Sequence, residues 1–96
     1  MDDHAMDKKV SILIVDDEAS IRDNLASLLE RSGFRVAVAV DGQDALKKLG
    51  QVGADLIVLD VIMPRMNGRE LLRQLRQNRN WIPVILLTQV GDAAER

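Results

Sequence analysis

The feature that most restricts the fold is an alternation of two periodicities. Apolar, β-branched runs occupy residues 10–15 (VSILIV), 35–40 (RVAVAV), 55–60 (DLIVLD) and 82–88 (IPVILLT). Runs of this length and composition read as strands. Between them the apolar residues recur at helical spacing. Ile21, Leu25, Leu28 and Leu29 share one face and stop at Ser32-Gly33, and Leu71, Leu72 and Leu75 repeat the pattern after Asn67. Asn67 and Glu70 form a capping pair at the start of that helix. Residues 41–50 (DGQDALKKLG) give a shorter helix that ends at a glycine, and the closing GDAAER reads as the first turn of another. The order is β-α-β-α-β-α-β. Strands alternating with helices at this spacing imply right-handed crossovers and a parallel sheet covered on both faces. The first and third runs are apolar at nearly every position, as two-sided burial requires. The expected class is therefore α/β, a doubly wound parallel sheet.

Composition narrows the functional classes. A chain of 96 residues, 47% hydrophobic and with a formal charge of -2, is long enough for one core and no more. There is no cysteine, so neither a disulfide framework nor a thiolate metal site is available. The head, MDDHAMDKK, is polar, and the apolar run after it is too short for a membrane span or a signal-peptide core. These features lead to the expectation of a cytoplasmic protein with a polar tail at residues 1–9 and a single domain over residues 10–96. Mild acidity, with Phe34 and Trp81 the only aromatics, argues against a nucleic-acid surface. Arg65, Arg69, Arg73, Arg76 and Arg79 are interrupted by Glu70 and read as a solvated helix face.

The acids stand at the ends of the buried runs. Asp16 and Asp17 close the first, Asp60 closes the third, and Thr88 closes the fourth. In an open parallel sheet, ligands bind beyond the carboxyl ends of the strands, where the strand order reverses. Carboxylates converging on one small crevice repel one another, so either some take up protons or a cation neutralises them. Magnesium suits them, because it takes one or two carboxylates and keeps waters for a phosphate-bearing ligand. A carboxylate beside such an ion can act as a nucleophile toward phosphorus and give an aspartyl phosphate.

Three stretches carry a family resemblance. ILIVDDE resembles the first strand and acidic pair of the receiver domain of two-component response regulators, LIVLDVIMPRMNG its phosphoacceptor strand and turn, and IPVILLT its fourth strand. The likeness runs from Val10 to about Asp92. It implies a flavodoxin-like topology with strand order 2-1-3-4, the fifth strand and last helix of the family being absent. It also implies that Asp60 is the phosphoacceptor and that Asp16, Asp17, Asp60 and the backbone carbonyl of Ile62 hold Mg2+ (or Mn2+). Thr88 would hydrogen-bond the phosphoryl group, and the donor would be a sensor histidine kinase or a phosphotransfer protein. Such a domain takes part in its own phosphorylation and is not otherwise an enzyme.

The chain departs from the family in two places. No lysine follows Thr88 to pair with the phosphoryl group, and Lys47 and Lys48 lie in the second helical segment. Gln89 stands where the family has a small residue. The expectation is an impaired phosphoacceptor or, alternatively, a phosphorylation-independent interaction and dimerisation module. A homodimer through the exposed edge of the fourth strand is expected, because no charge interrupts residues 82–88 and nothing in the pattern covers them. A phosphatase of the haloacid dehalogenase type would need a second acid where Ile62 stands. A dinucleotide-binding domain would need a glycine-rich loop after the first strand, which is lacking.

Overall fold

The computed structural model describes residues 9–60 and 68–87. In chain order the elements are β1 (Ser11–Val15), α1 (Ala19–Arg31), β2 (Arg35–Ala39), α2 (Gly42–Val52), β3 (Leu56–Asp60), α3 (Gly68–Gln77) and β4 (Val84–Leu87). The strands form one sheet in the order β2-β1-β3-β4, every neighbouring pair parallel. The expected class, strand order and alternation of strands and helices are all present. The capping residue Asn67, the turn residue Pro64 and the tail at residues 1–8 lie outside the described residues.

Successive side chains of a strand point to opposite faces, and here each face has its own helices. Leu13, Val15, Ala37, Ala39, Ile57, Leu59 and Val84 face Ala45, Leu46 and Leu49 of α2 and Leu71 and Leu75 of α3. Ile12, Ile14, Val36, Val38, Leu56, Val58 and Leu87 face Leu25, Ala26 and Leu29 of α1. β1 and β3 are thus buried on both sides, which is why neither strand holds a polar residue between its first position and its end. β4 is the exception. Ile85 and Leu86 are 50% and 41% exposed and lie on opposite faces of the sheet. On the neighbouring β3, Ile57 and Val58 are buried.

Local chemistry sets the helix ends. α1 closes with Gly33 at φ 100° and the Phe34 N–H returning to Leu29 O at 3.1 Å, a glycine-dependent reversal. α2 begins at Asp41, whose carboxylate accepts from the Asp44 N–H at 2.8 Å. In the segment after α3, Arg76 donates to the carbonyls of Asn80 and Ile82, at 2.8 and 2.9 Å, and stands over the Trp81 ring. Arg76 therefore has a structural duty, whereas Arg73 has the solvated character expected, paired with Glu70 on an exposed face. The hydrogen bond from Arg73 holds the Glu70 carboxyl below its ordinary range.

The free edge of β2 is covered by a pair of α2 side chains. The Arg35 N–H and the Ala39 carbonyl bond to β1, so the alternate residue Val38 presents its carbonyl to the open side. Lys48 Nζ donates to that carbonyl at 2.7 Å, and Asp44 accepts from the Val40 N–H at 3.0 Å. The two side chains are themselves 3.8 Å apart. One helix thus supplies the donor and the acceptor that a neighbouring strand would have supplied, which blunts the edge. Replacing Lys48 by Met should lower stability by about 1 kcal/mol, the worth of one hydrogen bond, and increase self-association. Urea denaturation and sedimentation read the two effects, and no change in either would contradict this role.

Candidate functional site

The register of the sheet brings the acids together. Val15 of β1 is paired with Leu59 of β3, so the next residues, Asp16 and Asp60, emerge side by side at the carboxyl ends of adjacent strands. Asp17 follows in the turn leading to α1. Carboxylate oxygens of Asp16, Asp17 and Asp60 all lie within 4.8 Å of one another. Asp16 is 4% exposed and Asp60 9%, whereas Asp17 faces solvent.

Asp16 is held on three sides. Its N–H donates to Ala39 O at 3.1 Å, one carboxylate oxygen accepts from the Glu18 N–H at 2.9 Å, and its carbonyl accepts from Arg22 Nη1 at 3.0 Å. The carboxylate bond also takes up an amide at the start of α1, where Glu18 makes no side-chain cap of its own. Asp16 therefore joins β2, β1 and α1 at the mouth of the crevice.

The electrostatics of this cluster are unfavourable in isolation. At 4.8 Å, two ionised carboxylates repel by about 3 kcal/mol at an effective dielectric constant of about 20. A hard divalent cation with oxygen ligands at about 2.1 Å accommodates oxygens up to about 4.2 Å apart. The cluster meets that limit after a contraction of well under an ångström, or through one bridging water. The residues present therefore fit a magnesium-sized ion, and the donor set is entirely oxygen, as that ion requires.

Of the residues expected from sequence, Asp16, Asp17 and Asp60 are brought together, while Ile62, Thr88 and Gln89 lie outside the described residues. Lys48 is engaged at the β2 edge. One participant, Arg22, escaped the sequence reading; the buried Asp41 belongs instead to the start of α2, which its carboxylate caps. Arg22 gave no signal, because its reach back to Asp16 depends on how α1 crosses the sheet.

Comparisons with known proteins agree with this geometry. Residues 12–96 match the family model described as the response regulator receiver domain. The alkaline phosphatase synthesis transcriptional regulatory protein PhoP of Bacillus subtilis is 51% identical over 91 residues, which are 95% of this chain and 37% of that protein. The sensory transduction protein RegX3 of Mycobacterium tuberculosis is 45% identical over 78 residues, 81% of this chain and 34% of that one. The chain thus spans about a third of the length of the curated relatives it matches. Among solved structures, the Francisella response regulator 1452 receiver domain superposes with a TM-score of 0.80 at 34% identity, covering 83% of this chain and 66% of that one. The response regulator TrrA of Thermotoga maritima, in complex with Mg2+-BeF, gives 0.77 at 38% identity, covering 82% and 69%. A parallel sheet of order β2-β1-β3-β4, acids converging at its carboxyl edge and a family match over nearly the whole chain lead to one assignment: this chain belongs to the receiver domains of response regulators, which are signalling domains.

Proposed function

We propose that Asp60 accepts a phosphoryl group in a magnesium-dependent phosphorelay, from a phosphohistidine on a sensor kinase or phosphotransfer protein. The observation that carries this reading is the meeting of Asp16, Asp17 and Asp60 within 4.8 Å at the tips of the central strands. One Asp60 oxygen attacks phosphorus, the bond from phosphorus to the imidazole nitrogen breaks, and that nitrogen leaves with the electron pair, as neutral imidazole when the other ring nitrogen carries a proton and otherwise by taking up a proton. The product is an acyl phosphate on Asp60. Bound Mg2+ or Mn2+ would offset the charge of the acids and of the incoming phosphoryl oxygens. Asp16, Asp17 and Asp60, with the Ile62 carbonyl, are its ligands in this proposal, and Thr88 is the hydrogen-bond donor to the phosphoryl group. Asp16 brings a carboxylate already oriented by the Glu18 amide.

Magnesium added to the protein should shift the amide signals of Asp16, Asp17 and Asp60 in NMR spectra within the millimolar range. Acetyl phosphate or beryllofluoride should then act at Asp60, and Asp60→Asn should abolish the effect. Labelling that survives Asp60→Asn, or no response to the cation, would overturn the assignment.

A second reading, an interaction module that pairs with another copy of itself across β4, is favoured by the exposure of Ile85 and Leu86 on that outer strand. Among the described residues no strand pairs with the outer edge of β4. A two-fold pairing of β4 strands would satisfy its backbone groups. Sedimentation at micromolar concentration should then show a dimer that Ile85→Lys dissociates. A wild-type monomer would remove this reading without touching the phosphoacceptor proposal.

A further inference from the structure

Asp16 and Asp17 lie in the short connection between β1 and α1, on a turn that has every electrostatic reason to swing away from Asp60. What opposes that swing has to be attached to something rigid. Asp16 is tied to β2 through its own N–H and to the Glu18 amide through its carboxylate, but the Glu18 bond is internal to the turn and moves with it. Among the described residues, the tie that joins Asp16 to a rigid element besides the β2 bond is Arg22. Its guanidinium reaches six residues back along the chain to the Asp16 carbonyl, at 3.0 Å. Arg22 stands on α1, and α1 is seated on the sheet by Leu25, Ala26 and Leu29 against Ile12, Ile14 and Val58. The anchor is therefore the packed core itself.

We infer that Arg22 is a positioning residue of the acidic crevice: by holding the Asp16 carbonyl it keeps the β1–α1 turn closed, with Asp16 and Asp17 facing Asp60 before a cation arrives. The inference rests on the metal-site reading above for its consequence, and on the hydrogen-bond geometry alone for its cause. Two effects of Arg22 on cation affinity oppose each other. Its positive charge disfavours a second cation nearby, while its tie spares the cation the work of gathering the carboxylates. Arg22 is half-buried and its guanidinium is already committed to the Asp16 carbonyl, so the tie acts directly on the backbone of a ligand residue. Positioning therefore outweighs repulsion, and loss of Arg22 weakens binding.

The test compares wild type, Arg22→Met and Arg22→Lys in two measurements. In metal-free protein, amide hydrogen exchange at Glu18 should be about 10-fold faster in Arg22→Met, the scale of one charge-assisted hydrogen bond. Exchange at the core residues Ile14 and Val58 should be unchanged. Titration with magnesium alone, followed by the amide signals of Asp16 and Asp17, should show affinity about 10-fold weaker in Arg22→Met and largely recovered in Arg22→Lys. Unchanged exchange at Glu18, an accompanying loss of protection at Ile14 and Val58, or affinity that is unchanged or tighter in Arg22→Met would each overturn the inference. If wild type itself does not respond to magnesium, the metal-site reading falls, and the metal-free exchange measurement still decides the role of Arg22.

Discussion

Two-sided burial of β1 and β3 is the constraint from which the rest follows. Leu13, Val15, Ile57 and Leu59 are pressed against α2 and α3, while Ile12, Ile14 and Val58 are pressed against α1. A charge anywhere along these strands would lose its hydration without a partner, at a cost of several kcal/mol. The first position where a carboxylate can stand is the strand tip, and Asp16 and Asp60 take those positions on neighbouring strands. The same packing that excludes charge from the sheet therefore concentrates it at one edge. A buried strand that ends on aspartate is the expected result of placing chemistry on a fully apolar frame.

Polar contacts hold the crevice in place. Asp16 uses its amide, its carbonyl and a carboxylate oxygen to connect β2, α1 and the turn between β1 and α1. Each of these bonds removes a way for the acids to separate. The two sheet edges are treated differently. Asp44 and Lys48 occupy the β2 edge with the donor and acceptor that a strand would need, whereas at β4 large apolar side chains remain open on both faces.

How much could be read from residues alone depended on whether a feature repeats. The strands, their tips and the clustering of Asp16, Asp17 and Asp60 follow from period-2 and period-3.6 patterns and from the parallel order they imply. The ends were less legible. β3 and β2 stop one residue short of the expected runs where a side chain replaces a backbone partner, the Asp55 carboxylate accepting from the Ser11 N–H and the Asp44 carboxylate from the Val40 N–H. Arg22, Lys48 and Arg76 could not be assigned at all from sequence. A long cationic side chain looks the same on a solvated face as when it turns back to a backbone carbonyl, and only the crossing of helix over strand decides between them.

The central claim is that the fold forces together carboxylates that a divalent cation then neutralises, and thermal unfolding with and without magnesium tests it most directly. A ligand that binds only the folded state stabilises it by RT ln(1 + [L]/Kd), and about 1 kcal/mol shifts the midpoint of a domain this size by about 4–8 °C. The account predicts that magnesium at about ten times its Kd raises the midpoint of the wild type by several degrees. It also predicts that Asp60→Asn melts higher than wild type without the cation and does not respond to it. Equal responses of the two proteins to magnesium, or a metal-free Asp60→Asn that melts well below the wild type, would contradict it.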